Sequence, residues 1–280
     1  MVAKFLAPPL NQSLTNDSYS MLYERNEMRF LVFVLTLHLL NSVADFSRAA
    51  IYISGHSDLG VGFEDDNLHL HLHAEQPLGL FGGGTVPAGE YDPGDLLIGV
   101  PNPMIGRPVG AQWDFLAANA GASVWFLPQS SDPNKPFLGL GTEELLPEDG
   151  WSTLTWTFNS ITTISGDNSD FALWQNDSFG NPSVLASTLV PTGAGNTWTQ
   201  NALSHDHYNF GFTGEGVYDV SLSISGNNSG AGTIAPGPYF DTASFRFVTG
   251  NAIAVPEPNS LAALGLAAIG GTLFRRRRLA

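Results

Sequence analysis

The chain has 280 residues, 11 Lys and Arg against 26 Asp and Glu, a formal charge of −15 and no cysteine. Without Cys there can be no disulfide scaffold, Cys-based zinc ribbon, Fe–S cluster or thiol catalysis, and the acidic balance argues against nucleic acid as a partner. Charged residues make up only 13% while Gly (31), Pro (18) and aromatics (11%) are frequent, the profile of an extracytoplasmic β-rich protein rather than a helical cytosolic enzyme.

Residues 1–27 carry no targeting logic, and Met28 is a better start than Met1, so this stretch reads as a mis-assigned extension of the gene. Residues 28–50 (MRFLVFVLTLHLLNSVADFSRAA) run in the order of a secretory signal peptide. Arg29 is the positive n-region, Phe30–Leu40 the apolar h-region and Ser42-Val43-Ala44 a small-x-small cleavage site, with cleavage after Ala50 the alternative. The 11-residue apolar run is too short to span a bilayer.

Residues 51–254 form the expected working domain, with three cations (Arg107, Lys135, Arg246) against 21 acids, a formal −18. Its apolar residues alternate in short runs: Trp151–Phe158, Phe171–Trp174, Val217–Ile224 and Ala243–Val248. Turn signals separate them, among them Gly82-Gly83-Gly84, Asp149-Gly150, Gly166-Asp167-Asn168 and Gly226-Asn227-Asn228. Asp114–Ala122 is the one helix-like piece. The pattern predicts an all-β fold, an antiparallel β-sandwich of jelly-roll or Ig-like type, flanked by an N-terminal signal helix and a C-terminal sorting helix.

Six histidines lie in this domain, all in ordered patterns. His56 sits in Ser54-Gly-His-Ser-Asp-Leu-Gly60, read as a short polar loop. Asn67-Leu-His-Leu-His-Leu-His73 alternates strictly, which in a strand puts His69, His71 and His73 on one face and Leu68, Leu70 and Leu72 on the other. His205-Asp206-His207 repeats the spacing. Two His-x-His units with a further donor make a divalent-metal site, and in a Cys-free chain neutral imidazole favours Zn2+, with other divalent ions such as copper or nickel possible. Asp58, Glu64 and Asp206 are candidates for fixing the imidazole tautomers from behind, or for direct oxygen ligation. An acidic loop, Asp167–Asp170, lacks EF-hand spacing. Glu143-Glu144 and Glu148-Asp149 read as solvated loop charges rather than a glycosidase pair. Trp151, Trp156, Trp174 and Trp198 read as core or a carbohydrate platform. No nucleophile elbow, P-loop, dinucleotide fingerprint or His-Glu-x-x-His occurs, and no catalytic residue is assigned.

Residues 255–280 close the chain with Val255-Pro256-Glu257-Pro258, an apolar stretch Leu261–Phe274 and the run Arg275-Arg276-Arg277-Arg278. This three-part layout resembles the PEP-CTERM sorting signal of bacteria that possess exosortase. The resemblance implies transient inner-membrane anchoring with the arginines held in the cytoplasm, and cleavage near the Pro-Glu-Pro triplet. It also implies an exosortase-type sorting protease as partner and delivery to the cell surface or exopolysaccharide matrix.

Ser54–Phe63, Leu68–His73 and His205–Val220 together resemble the choice-of-anchor M surface domain. The last segment is similar to the His-x-His-x-Asn-Trp-x-Phe-Thr signature of actinobacterial surface-anchored repeats, with Phe210 where Trp is usual. With the sorting signal added, the chain resembles a cyanobacterial PEP-CTERM family controlled by the zinc-uptake repressor. That resemblance implies a surface zinc-binding or zinc-acquisition role, with His56, His205 and His207 the best-matched positions and the 69–73 run next; the leading reading is non-enzymatic zinc capture at the envelope. The alternatives are a structural exopolysaccharide-matrix or adhesion protein without metal, and a zinc-dependent hydrolase with Asp58 or Glu64 as base.

Overall fold

The computed structural model describes residues 50–190 and 196–254. The expected extension (1–27), nearly all of the signal segment (28–50) and the sorting segment (255–280) lie outside the described residues. Among the described residues no helix is long and apolar enough to cross a membrane.

The chain begins with β1 (Ala50–Glu64), β2 (Asn67–Ala74), β3 (Leu78–Leu80), β4 (Thr85–Val86) and β5 (Gly89–Tyr91). It continues with β6 (Leu96–Val100), β7 (Ile105–Gly106), β8 (Ser123–Leu127), β9 (Pro136–Gly141) and β10 (Thr153–Gly166). Then come β11 (Phe171–Asn176), β12 (Pro182–Ser187), β13 (Thr197–Asn201), β14 (His205–His207) and β15 (Asn209–Phe212). Two long strands, β16 (Gly216–Asn228) and β17 (Gly237–Thr249), complete the fold.

The larger sheet runs β13-β10-β16-β17-β6-β1-β2-β5, with β9 added beside β1 and β14 beside β9, and the smaller runs β12-β11-β15-β8-β7. Their apolar faces share one core. Phe158 of β10 packs on Phe171 of β11 at 5.0 Å, Phe212 of β15 on Tyr218 of β16 at 5.8 Å, and Phe210 on Phe247 of β17 at 6.1 Å. Such tilted and offset aromatic pairs across two inner faces are the ordinary filling of a sandwich. Antiparallel pairing dominates, as the short alternating runs predict. Three contacts are parallel: β1 with β6, β1 with β9, and β17 with β6.

Two local features position the functional face. Gly55, at φ +112°, lies where β1 passes from pairing with β3 and β6 to pairing with β2 and β9, a backbone conformation that side chains disfavour. Asp65 and Asp66, both at positive φ, close a two-residue hairpin that locks Glu64 opposite Asn67. A one-residue slip would send Leu68, Leu70 and Leu72, all buried, to the histidine side, so the register is fixed by burial as well as by the turn.

Asp114–Ala122, expected to be helix-like, is not a helix. A 3-10 turn at Ala111–Trp113 precedes it, and Gly121 then takes φ +79°. Nine residues with Gly and Asn near the end cannot repay helix nucleation, and Phe115, Leu116 and Ala117 are buried instead as an irregular plug. Trp151, Trp156 and Trp174 are core residues, not a surface platform. Trp198 stacks on Trp156 at 6.3 Å.

Candidate metal centre

The side chains of the site stand on four neighbouring strands, β2-β1-β9-β14, and their register explains the pattern. One row across the sheet reads His73–Asp58–Gly139–His207, and the next reads His71–Gly60–Gly141–His205. His56 lies beside Phe137 at one end and His69 beside Gly62 at the other. The other face of these strands carries Leu59, Val61, Leu70, Leu72, Leu138 and Leu140, all in the core. Glycines therefore occupy the middle of the polar face, and imidazoles from the flanking strands lean over them. A Cβ on Gly139 would collide with the Asp58 carboxylate and come within 3.2 Å of His207, and one on Gly60 would sit 2.7 Å from His71 Nε2.

His56 is in β1, not in the polar loop expected from its neighbours, because Gly55 turns the strand without ending it. The crossing between the two sheets holds His205 and His207 in place. After Tyr208 the chain leaves the larger sheet for β15 of the smaller one, and buried Asn209 secures the passage. It accepts from the Gln129 backbone N–H at 3.0 Å and donates to Gln129 Oε1 at 2.8 Å, while Gln175 donates to the His207 carbonyl at 2.9 Å.

The first constellation is His56, Asp58, His205 and His207. The Nε2 atoms of His56 and His205 each lie 3.1 Å from Nε2 of His207, and His56 Nε2 lies 3.5 Å from Asp58 Oδ2. Zn–N bonds of about 2.0–2.1 Å place tetrahedral donors about 3.3–3.4 Å apart, so these separations suit four donors around one ion. With Nε2 turned inward, Nδ1 is left for outer partners: His205 Nδ1 faces Glu143 at 3.1 Å and His56 Nδ1 faces Glu75 at 3.3 Å. Carboxylates behind ligating imidazoles fix the tautomer in this way. His207 lies flat on Phe137, ring centroids 3.5 Å apart.

Asp58 is the unusual member. It is 1% exposed, and neither carboxylate oxygen has a hydrogen-bond partner. Burial pushes its pKa up to about 6, against the pull of His56 and His205 and with a push from Glu143 and Glu75. Burial presses His207 down to about 4, opposed by the nearby Leu138 backbone and by Glu75 and aided by the charges of His56 and His205. At neutral pH the group therefore offers an ionised carboxylate and a free imidazole lone pair.

The second constellation is His71, His73 and Glu144. Glu144 Oε1 lies 3.0 Å from His71 Nε2 and 3.6 Å from His73 Nδ1. Burial of His71 opposes its charged form, but the hydrogen bond and charge of Glu144 outweigh it and hold the imidazole above its usual range. The same bond, against desolvation, draws Glu144 below the usual carboxylate range.

Sequence reasoning named all six histidines as metal candidates and put His69, His71 and His73 on one strand face, but it did not say which histidines meet and missed Glu143, Glu144 and Glu75 as their partners. The two glutamates at 143 and 144 are partly exposed turn charges, as expected, but each also faces a histidine: they sit in a turn closed by Leu145 N–H to Thr142 O at 3.1 Å and anchored by fully buried Leu145. Of the outer partners expected from sequence, Asp58 stands within the first constellation, beside the three imidazoles. Glu64 lies 3.6 Å from His69, which also faces Asp92 at 3.4 Å and joins neither constellation. Asp206 alternates away from its two neighbours and is exposed, so it takes no part. The three cations among the described residues are engaged elsewhere: Arg107 with Asp114, Arg246 with Asp219, and Lys135 with the Phe126 carbonyl and ring.

In comparison with known families, residues 254–278 match the PEP-CTERM protein-sorting motif. Searches of curated proteins and of solved structures find no match. The motif marks an exported protein that is processed at the cell envelope and delivered to the surface, and such motifs are associated with exosortase processing.

Proposed function

We propose that this is a surface-delivered, non-enzymatic divalent-metal protein that captures zinc at the cell envelope through His56, Asp58, His205 and His207. The observation that carries this reading is Asp58, a buried carboxylate neither of whose oxygens makes a hydrogen bond, 3.5 Å from one of three clustered imidazole nitrogens. An isolated buried charge is costly, and buried charges are ordinarily paired or coordinate a metal. Three imidazoles and one carboxylate suit zinc, with copper and nickel as competitors. Four protein donors make a closed set, whereas catalytic zinc keeps a position for water, which favours capture over hydrolysis. The non-metal matrix reading loses its aromatic support because Trp151, Trp156 and Trp174 are core residues.

Equilibrium dialysis of the purified protein against zinc across a pH series tests the proposal. Protons compete for Asp58 below about pH 6, whereas His207 holds its lone pair down to about pH 4. Zinc affinity is expected to fall at least about tenfold per pH unit below pH 6, the response to one displaced proton. Failure to retain zinc at pH 7.5 contradicts the proposal, as does retention that does not change down to pH 4.5.

A further inference from the structure

We infer that the same face holds a second divalent ion, bound by His71, His73 and Glu144 in an open three-donor site beside the first. This rests on the reading of the first centre as a metal site.

The sheet register separates the two centres. His73 stands directly opposite Asp58 on the neighbouring strand, and His71 opposite Gly60. The donors of the second constellation all lie within 4.8 Å of one another. They cannot complete the first, which already has four donors of its own. His71 is 1% exposed, too buried to be an incidental surface imidazole. The backbone keeps space for it: a Cβ on Gly60 would meet the His71 ring, and one on Gly62 would sit 2.8 Å from Glu144 Oε2. Both glycines lie in β1 at extended backbone angles that any residue adopts, so this space rather than backbone freedom is what glycine supplies there.

The two centres differ in the number of their donors. The first is closed by four protein donors around the buried Asp58. The second has two imidazoles and one carboxylate, with about a third of the His73 and Glu144 side chains exposed. Three donors leave a coordination position for water or an exchanging ligand. The centres are joined through the chain, because Glu143 and Glu144 leave the same Thr142–Leu145 turn in opposite directions, one to His205 and one to His71. The second ion is therefore the exchangeable one, loaded and released from solvent first.

Zinc stoichiometry of the purified full chain, titrated in competition with a chromophoric chelator, tests this. Wild type is expected to bind two ions, the weaker at least about tenfold more readily stripped. His71→Ala/His73→Ala and, separately, Glu144→Gln are expected to lose the weaker ion and keep the tighter. His205→Ala/His207→Ala is expected to keep only the weaker. Glu144 is partly exposed, so its variant guards against a folding failure at buried His71, and circular dichroism reports the fold in each case. One ion per chain, unaffected by the His71/His73 and Glu144 changes, overturns the second site and leaves the first standing. No zinc on any variant or on wild type overturns both.

Discussion

Replacing His205 and His207 together by alanine is expected to lower zinc affinity at the first centre by at least about 10^3-fold. Structural zinc sites release roughly 10–16 kcal/mol over about four ligands, so two ligands account for several kcal/mol, at about 1.4 kcal/mol per factor of ten. The fold should survive. β14 is a three-residue strand at the edge of its sheet, and the two histidines are only partly buried and lie outside the apolar core. The main structural loss is the stack of His207 on Phe137, worth about 0.5–1.5 kcal/mol. Competition titration with circular dichroism on the same samples separates loss of ligands from loss of fold. Unchanged affinity in a folded variant would place the ion elsewhere.

Asp58→Ala is expected to act in opposite directions with and without metal. In the metal-free protein the Asp58 carboxyl is raised from 3.8 to about 6, so folding costs free energy wherever it must be ionised. The native state then binds more protons than the unfolded chain between these values, and stability falls as pH rises through that window. The cost is fully present above about pH 6 and absent below about pH 4. The displacement is already net of the pull of His56 and His205, so at about 1.4 kcal/mol per pH unit removing the carboxylate should stabilise the apo protein by on the order of 2–3 kcal/mol at pH 8. That gain corresponds to several degrees in Tm and should vanish towards pH 4. With zinc in large excess the order reverses, because the wild type gains more binding free energy at the first centre than the variant, up to about 4 kcal/mol at 1,000 times Kd. Thermal melts at pH 8 and pH 4.5, with chelator and with zinc, check both halves. A metal-free variant less stable than wild type at pH 8 would mean that interactions within the apo fold hold Asp58.

The strands and the histidine face were legible locally, and the grouping of ligands was not. Leu-His-Leu-His-Leu-His is periodic enough to separate core from site at a glance; the runs at 171–174, 217–224 and 243–248 fall inside observed strands, and the run at 151–158 does so from Thr153 on. Which histidines meet is decided by pairings far apart in sequence: β1 with β9, and β9 with β14. No local pattern encodes these. Glu143 and Glu144 are partly exposed turn charges, as the sequence suggests, but only the turn's direction, which no local pattern encodes, brings them to His205 and His71 as well. A usable signal was nevertheless present. Leu59-Gly-Val-Gly62 and Leu138-Gly-Leu-Gly141 alternate apolar residues with glycine, the mark of strands with one face in the core and the other stripped of side chains. Set against a strand that alternates leucine with histidine, that pattern describes a cradle.

Anomalous diffraction at the zinc edge, from crystals of the purified protein grown with zinc, tests the central claim most directly. The strongest peak is expected between the Nε2 atoms of His56, His205 and His207 and the Asp58 carboxylate, with Zn–N distances of about 2.0–2.1 Å. A peak coordinated by none of these four residues, or no bound zinc at all, would contradict it.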